Sequence, residues 1–206
     1  MKFKTEQEAF WAGEFGNNYI ERNKSDTIVA ANISMLSAIL KRTRNVQKII
    51  EFGSNIGLNL EALKVLVPNA ALSAIEINDN AVKKLARFSD LTVHHTSILE
   101  FIPKEQHDLA LIKGVLIHIN PDELDHVYQL LYQSSSRYIC LSEYYNPTPV
   151  EVNYRGHQSR LFKRDFAGEM LDKFPDLKLV DYGFVYHRDN RFPQDDMTWF
   201  LLEKIS

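Results

Sequence analysis

This chain of 206 residues has few cysteines, a small net charge and no long apolar run. Cys140 is the only cysteine, which excludes an internal disulfide and a zinc site built from thiolates. Lys and Arg number 24 against 27 Asp and Glu, so the formal charge of −3 offers no basic surface for nucleic acid. The apolar runs are long enough for strands only, and no membrane-spanning segment is expected.

Strand-like and helix-like patterns alternate along most of the sequence. The predicted strands are Val46–Phe52, Ala71–Ile77, Leu91–His95, His107–Lys113, Arg137–Glu143, Leu177–Val185 and Met197–Glu203. The predicted helices are Thr5–Arg22, Thr27–Arg42, Leu58–Val67, Asn80–Phe88, Pro121–Gln133 and Arg164–Lys173. This alternation predicts an α/β fold with a mostly parallel, seven-stranded sheet and helices on both faces.

No repeat or linker divides the sequence, so we predict a single domain over residues 1–206. Within it, residues 1–44 are predicted to form a helical lid region and residues 45–206 the sheet-containing core. Met1–Glu6 lacks the apolar centre of a signal peptide, and we therefore expect a cytoplasmic protein.

Polar or glycine-containing sequence follows five of the predicted strands. These segments are Glu51–Gly57, Glu76, Thr96–Ile98, Lys113–His118 and Tyr144–Asn146. Parallel sheets bind ligands beyond the carboxyl ends of their strands, near the point where the strand order reverses. The sequence therefore predicts a ligand site at this edge of the sheet.

The turn after the first strand indicates which ligand. Its order is Glu51-x-Gly53-x-Asn55-x-Gly57, whereas a dinucleotide fingerprint has a glycine where Asn55 stands. The Glu51 carboxylate would repel a pyrophosphate but suits a cationic ligand. Glu76 follows the second strand, where an acidic residue can accept hydrogen bonds from ribose hydroxyls. The pattern favours S-adenosylmethionine over a nicotinamide dinucleotide, and an oxidoreductase is the less favoured alternative.

Several longer blocks resemble the class I S-adenosylmethionine-dependent methyltransferases, and more closely the pseudaminic acid biosynthesis-associated methylases. The blocks are Phe10–Gly16, Glu51–Gly57, Lys113–Pro121, Glu143–Pro149, Tyr154–His157 and Phe184–Asp189. The resemblance implies a Rossmann-like methyltransferase that acts on a nonulosonic (pseudaminic- or legionaminic-type) acid or its nucleotide-linked form. Asn55 departs from the broad class I pattern, but asparagine tolerates left-handed backbone.

A set of residues around the glycine turn and the strand ends is predicted to bind the cofactor. They are Tyr19, Arg22, Glu51, Gly53, Ser54, Asn55, Gly57, Asn59, Glu76, Ile77, Ser97, Ile98, Lys113, Gly114 and Val115. Ile77 and Ile98 are expected to flank the adenine, and Arg22 to pair with the cofactor's carboxylate. The product after methyl transfer would be S-adenosylhomocysteine.

His118 is the predicted catalytic residue. Its neighbours Leu116, Ile117 and Ile119 are apolar, which would lower the pKa of the imidazole and keep it neutral. A neutral histidine can accept a proton from a hydroxyl nucleophile, whereas an amine nucleophile needs no base. The alternative is a structural histidine that bonds a backbone carbonyl.

The segment from Glu143 to Arg164 has many aromatic and cationic residues and few aliphatic ones. Arginine suits recognition of carboxylates and phosphates, so this segment is predicted to contact the substrate. The predicted substrate-binding residues are Trp11, Tyr144, Tyr145, Asn146, Arg155, His157, Arg160, His187 and Arg188. A charged surface loop is the alternative interpretation.

The histidines and carboxylates show no metal-ligand spacing, and we expect a metal-independent enzyme. The expected partner is a small sugar, without nucleic acid or membrane, and the protein is expected to be a monomer or a homodimer. The alternatives are a methyltransferase for another small metabolite or for a protein, and a catalytically silent binder of the cofactor. The sequence leaves open whether oxygen or nitrogen is methylated.

Overall fold

The computed structural model describes residues 3–23 and 26–205, so residues 1–2, 24–25 and 206 of the predicted domain lie outside the description. Seven α-helices are present in the described residues: α1 (Glu6–Ala12), α2 (Glu14–Arg22), α3 (Asp26–Leu40), α4 (Leu58–Leu66), α5 (Asp79–Leu85), α6 (Leu124–Ser134) and α7 (Phe166–Lys173). Short 3₁₀ helices cover Ile98–Glu100, Leu116–His118 and Pro121–Glu123.

The strands are β1 (Lys48–Phe52), β2 (Ala71–Glu76), β3 (Leu91–His95), β4 (His107–Lys113), β5 (Ser135–Glu143), β6 (Val150–Tyr154), β7 (His157–Lys163), β8 (Leu177–Val185) and β9 (Met197–Lys204). Seven of them form one sheet in the order β3-β2-β1-β4-β5-β9-β8. The pairs from β3 to β5 are parallel, and β9 runs antiparallel to both β5 and β8. The predicted seven-stranded, mostly parallel sheet is confirmed, with each strand bound within two residues of its prediction.

Both faces of the sheet are apolar and both carry helices. On one face, β1 and β4 present Ile49 and Leu109 to α3 and α4. On the other face, the next residues along the same strands, Ile50 and Ala110, join the core with α6 and α7. Since successive side chains of a strand point to opposite faces, near-continuous apolar strands are what a sheet buried on both sides requires.

The N-terminal region differs from its prediction in two ways. The helix predicted over residues 5–22 is two helices, because Gly13 leaves the helical conformation (φ −94°, ψ −152°) and α2 begins after it. The break brings the Trp11 carbonyl against Gly16, where a Cβ would lie 1.9 Å from that oxygen. In the same region, α3 packs against α4 and the sheet as part of the core, so the predicted lid region is limited to α1 and α2.

The aromatic and cationic segment after β5 is folded, which the sequence interpretation missed. Strands β6 and β7 form a separate two-stranded antiparallel hairpin. Arg155 and Gly156 occupy its turn with positive φ angles of 51° and 88°. The helix predicted to begin at Pro121 starts instead at Leu124, after a 3₁₀ turn.

Shortening a buried leucine of α4 should destabilise the sheet face that α3 and α4 cover. Leu63 is 0% exposed, and Leu63→Ala should lower the free energy of unfolding by about 3 kcal/mol because the lost methyl groups leave a cavity. Val65 lies on the same helix with 63% of its surface exposed. In urea unfolding, the control variant Val65→Ala should stay within about 0.5 kcal/mol of wild type; equal losses in both variants would contradict this packing.

Candidate functional site

A cavity of about 480 Å³ opens at the carboxyl ends of β1, β2 and β4. β1 and β4 are neighbours in the sheet, whereas the chain leaves β1 towards β2 and β3, so the strand order reverses between them. The α1–α2 pair and the segment between β8 and β9 complete the wall. The cavity therefore lies at the predicted edge of the sheet.

Most of the residues predicted to bind a cofactor line this cavity. They are Tyr19, Gly53, Ser54, Asn55, Asn59, Glu76, Ile77, Ser97, Ile98, Lys113, Gly114 and Val115. Three do not line it. Glu51 lies beneath the wall, Gly57 faces Leu85 and Phe88, and the Arg22 guanidinium lies 5.4 Å from the centroid of the Phe15 ring.

The glycine turn brings bare backbone to the cavity wall. Gly53 and Asn55 both have positive φ angles, 73° and 47°. A Cβ at Gly53 would lie 2.7 Å from a methyl group of Val115, so a larger residue would displace the segment that follows β4. The turn is fixed from β2, since the Gly53 and Ser54 amides donate to the Ile75 carbonyl at 2.9 and 3.1 Å.

Glu76 fastens two turns at once. Its carboxylate accepts hydrogen bonds from the Asn55 amide at 2.6 Å and from the Asn78 amide at 2.7 Å. Asn78 in turn donates its side-chain amide to the Trp11 carbonyl at 3.1 Å, which ties the α1 end to the sheet. Burial raises the pKa of Glu76, while the backbone amides of Asn78, Asn55 and Ile77 oppose that shift. Each carboxylate oxygen keeps a second lone pair, with which Glu76 could accept from a ligand's hydroxyl groups.

Below the wall, Glu51 has an incomplete hydrogen-bonding environment. It is 1% exposed, and one carboxylate oxygen accepts from the Asn59 side-chain amide at 2.6 Å. The other oxygen, Oε2, has no partner, nor do the side-chain oxygens of Asn59 and Asn32. Burial raises the pKa of Glu51 to about 8. Three buried acceptor oxygens are therefore left for a donor that the chain does not itself supply.

Lys113 supplies the opposite charge beside these acceptors. Strand alternation places it on the same sheet face as Glu51. Burial lowers the pKa of Lys113, and the carboxylates of Glu51, Asp195 and Glu143 partly restore it. Within the described part of the chain, no carboxylate lies within 4 Å of the ammonium. The lysine thus faces the cavity with no contact ion pair.

His118 is presented by a turn that a carboxylate holds in place. The buried Glu143 side chain accepts from the Val115 and Leu116 amides at 3.0 Å each. His118 itself is 8% exposed and lies 4.6 Å from the Trp11 ring between centroids. Burial lowers the pKa of His118 to about 4, so the ring is neutral at neutral pH.

One hydrogen bond determines which nitrogen of His118 carries the proton. Nδ1 lies 2.5 Å from the Arg160 carbonyl oxygen. Because a carbonyl can only accept, the neutral ring is protonated at Nδ1 and has its lone pair on Nε2. No partner for Nε2 is found among the described residues.

Only two of the predicted substrate-binding residues, Trp11 and His187, line the cavity. The other seven, Tyr144, Tyr145, Asn146, Arg155, His157, Arg160 and Arg188, do not. Arg160 pairs instead with Glu6 at 3.0 Å, and the Arg155 guanidinium lies 5.9 Å from the centroid of the Tyr154 ring. Arg160 thus has its partner in α1, and Arg155 has its partner in the hairpin. Neither guanidinium is part of the cavity wall.

The remaining five have local contacts. The Tyr144 hydroxyl faces Asp195, and burial together with that carboxylate raises the pKa of Tyr144. The His157 ring packs on Phe10, with 4.9 Å between centroids. Tyr145 packs near Phe200, Asn146 donates to the Thr148 carbonyl at 2.5 Å, and Arg188 is exposed.

Sequence interpretation missed several cavity residues. They are Thr5, Gln7, Glu8, Asn32, Asn78, Asn120, Pro193, Gln194, Asp195 and Met197, with the apolar neighbours Ile20, Ile28, Ile56, Leu58, Leu99 and Ile119. Asn78 caps α5, since its side-chain oxygen accepts from the Asn80 and Ala81 amides, and a cap position gives no sign of a cavity. Thr5 and Glu8 form a capping box at α1, and Glu8 also accepts from Ser97. A capping-box pattern in a sequence indicates where a helix begins, and it does not indicate that the same residues line a cavity.

Metal-ligand clusters and membrane-spanning helices are both absent from the described ranges. No group of three or more His, Cys, Asp or Glu side chains could hold a metal ion. Likewise, α1 to α7 include none with the length and hydropathy that crossing a membrane requires.

The fold is that of known methyltransferases. No protein-family model matches the sequence, and no curated protein matches it. A 1,6-didemethyltoxoflavin-N1-methyltransferase of Burkholderia thailandensis, solved with its substrate and S-adenosylhomocysteine, superposes with a TM-score of 0.71 at 13% identity over 97% of this chain and 87% of its own.

Two further structures agree. N-methyltransferase NodS of Bradyrhizobium japonicum has a TM-score of 0.64 at 16% identity, over 92% of this chain and 99% of its own. An S-adenosylmethionine-dependent methyltransferase of Clostridium acetobutylicum has a TM-score of 0.66 at 10% identity, over 93% of this chain and 98% of its own. The chain therefore has a Rossmann-like methyltransferase fold.

The unpartnered Glu51 carboxylate should make the ligand-free protein less stable at high pH. The folded state keeps a proton on Glu51 up to about pH 8, whereas the unfolded chain loses it near its ordinary value of about 4.5. The folded state therefore binds the extra proton, and stability falls as the pH rises between those values. Glu51→Gln needs no such proton and should be more stable than wild type at about pH 8.5, by on the order of 1 kcal/mol or more.

Urea unfolding at about pH 4.5 and about pH 8.5 would measure this difference, which should shrink at the lower pH. Glu61→Gln is the matched control, since Glu61 lies on α4 with its side chain 46% exposed. That variant should differ from wild type by less than about 0.5 kcal/mol at both pH values. A Glu51→Gln protein less stable than wild type at the higher pH would contradict the assignment.

Proposed function

We propose that this protein is an S-adenosylmethionine-dependent methyltransferase for a small molecule. The observation that carries the proposal is the polar pattern beneath the cavity. Glu51, Asn59 and Asn32 each have an unpartnered acceptor oxygen, and Lys113, whose charge interacts with Glu51, lines the same cavity as Asn59 and Asn32. An amino-acid zwitterion complements that pattern, since its ammonium donates to the oxygens and its carboxylate meets the lysine. S-adenosylmethionine has such a group at one end.

The other half of the cavity suits the nucleoside. Glu76 is proposed to accept from the ribose hydroxyls, because its oxygens retain lone pairs at the wall. Ile77 and Ile98 are proposed to flank the adenine. Ser97 donates to Glu8 and accepts from the Leu99 amide, so its hydroxyl positions α1 and leaves the base edge to neighbouring backbone. Tyr19, Gly53 to Asn55 and Lys113 to Val115 complete the proposed cofactor site.

When bound, S-adenosylmethionine supplies a methyl group on a sulfonium, an electrophile that needs alignment more than activation. The chain's own residues then have two tasks, which are to orient the attacking atom and to exclude water. The α1–α2 pair and the β8–β9 segment enclose the cavity. His118 is the proposed catalytic residue, since Nε2 can accept a hydrogen from the attacking group and point its lone pair at the methyl carbon.

The acceptor is proposed to be a small carbohydrate acid of the nonulosonic type or its nucleotide-linked form. Support for this identity comes from the sequence resemblance alone. One structural neighbour is an N1-methyltransferase solved with bound 1,6-didemethyltoxoflavin, which is a small molecule. The test is transfer of labelled methyl from S-adenosylmethionine to a panel of nonulosonic acids, their nucleotide-linked forms, the small-molecule fraction of a cell extract and its protein fraction. Label in protein alone would contradict a small-molecule acceptor.

Removing the Glu76 carboxylate should weaken cofactor binding. Two charge-assisted backbone hydrogen bonds are lost with it, and so are the proposed bonds to ribose, so Glu76→Ala should reduce affinity for S-adenosylhomocysteine by about tenfold or more. Titration calorimetry measures the affinity. Glu105→Ala, an exposed position next to the opposite end of β4, should bind as wild type does. Equal affinity in both variants would place the cofactor elsewhere.

Replacing His118 should slow turnover with little change in cofactor affinity. His118→Ala is expected to lower kcat by about 100-fold, because the attacking atom loses its orienting acceptor, while S-adenosylhomocysteine binds as before in calorimetry. His95→Ala is the control, since His95 pairs with Asp79 outside the cavity. Unchanged kcat in His118→Ala would limit this residue to a structural role.

A further inference from the structure

The charged side chains of the cavity wall are almost all committed to internal contacts. Glu8 accepts from the Lys4 and Thr5 amides at 2.7 and 2.9 Å and from Ser97. Glu76 holds its two turns, and Lys113 faces Glu51. His187, which also lines the cavity, pairs with Asp196 at 2.8 Å. These groups have little charge left for an acceptor molecule.

Asp195 is the exception among the described residues. It lines the cavity from the segment before β9 and is exposed. Among the described residues it has no salt bridge within 4 Å, and it accepts a hydrogen bond from the Tyr144 hydroxyl. The side chains that face it come from three elements: Tyr19 of α2, Lys113 of β4 and Tyr144 after β5. Two phenol groups therefore flank a carboxylate that no salt bridge neutralises.

Aromatic rings continue the wall next to this carboxylate. Trp11 and Tyr19 both line the cavity, with 5.2 Å between their ring centroids in an edge-to-face arrangement. His118 adds a neutral ring 4.6 Å from Trp11. Aromatic faces and a carboxylate together attract an ammonium group.

The cations that would bind an anionic acceptor are not in the wall. Arg155, His157, Arg160 and Arg188 lie outside it, and Arg160 is paired with Glu6. Lys113 is assigned to the carboxylate of the cofactor. The wall at Asp195 thus suits an amine of the acceptor, whereas an acid group of the same molecule would meet the cations outside the wall.

His118 also discriminates between nucleophiles. A hydroxyl needs a strong base at the attacking oxygen, and burial lowers the pKa of His118 to about 4, which makes it a weak one. An amine attacks from its neutral form and needs only an acceptor that orients an N–H, which Nε2 provides. The side chain therefore suits nitrogen better than oxygen.

We infer that the methyl acceptor is an amine, which Asp195 attracts as an ammonium ion and which His118 orients. This inference rests on the proposed function and specifies the acceptor atom. The ammonium first loses a proton to solvent at the exposed Asp195 edge. The nitrogen lone pair then forms the new N–C bond as the C–S bond breaks, and sulfur keeps the electron pair of that bond. The methylated nitrogen leaves as an ammonium ion, so charge and protons balance.

An amine-blocking experiment tests this without a known acceptor. The small-molecule fraction of a cell extract is divided, and one half is treated with an acylating reagent that blocks primary and secondary amines. Wild-type protein and labelled S-adenosylmethionine are then added to both halves. Label should enter the untreated half, as N-methyl in tandem mass spectrometry, and fall at least tenfold in the blocked half.

Asp195→Asn supplies the second arm. Loss of the ammonium's partner should raise KM for the labelled acceptor about tenfold or more, with kcat changed less. Asp172→Asn makes the same charge change at an exposed position of α7, outside the cavity, and should match wild type. Label that survives blocking, or an unchanged KM in Asp195→Asn, would overturn the inference.

Calorimetry with S-adenosylhomocysteine separates this failure from failure of the proposed function. Tight binding by wild type and by Asp195→Asn, together with methylated oxygen in the product, would overturn the amine and leave the methyltransferase in place. Absence of both binding and transfer would overturn the methyltransferase itself, and the amine with it.

Discussion

The paired hydrogen bonds of Glu76 join the parts of the site to one another. This one carboxylate holds the Asn55 amide of the first turn and the Asn78 amide of the second. Asn78 passes the connection to the Trp11 carbonyl, and so to the helices that cover the cavity. A displaced Glu76 would loosen the glycine turn, the start of α5 and the cover together. Few positions at the end of a strand connect three segments that are so far apart in sequence.

Buried carboxylates recur at the strand ends, and their environments differ with their tasks. Glu143 at the end of β5 is satisfied by backbone amides, and burial still raises its pKa to about 7. Glu51 at the end of β1 has an unpartnered oxygen. Such a group destabilises the folded chain, since desolvation of the charge is not offset by a contact. The arrangement is consistent with a site that becomes complete only when a ligand donates to it.

The sheet and the position of its site were predictable, because both follow from repeating patterns. Apolar strands alternate with helical periods, and polar residues gather where parallel strands end. The hairpin of β6 and β7 was not predictable in the same way. Its tyrosines, arginines and histidines indicated a binding surface. Composition does not determine where each side chain points, however: Arg160 pairs with Glu6, and Arg155 lies near the Tyr154 ring. Asp195 gave no signal because it lies in an irregular segment without a period or a motif.

The hydrogen bond from His118 to the Arg160 carbonyl connects the hairpin of β6 and β7 to the proposed catalytic residue. The nitrogen that carries the proton is selected by β7 and not by the sheet that carries the rest of the site. β7 also receives the Gln7 side-chain amide at the Ser159 carbonyl, at 2.9 Å, so the hairpin and α1 close as one unit. If that unit swung away, the imidazole would be free to exchange its proton between both nitrogens and would lose its fixed orientation. The hairpin that covers the cavity thus fixes the tautomer and the orientation of the ring that the proposed role of His118 requires.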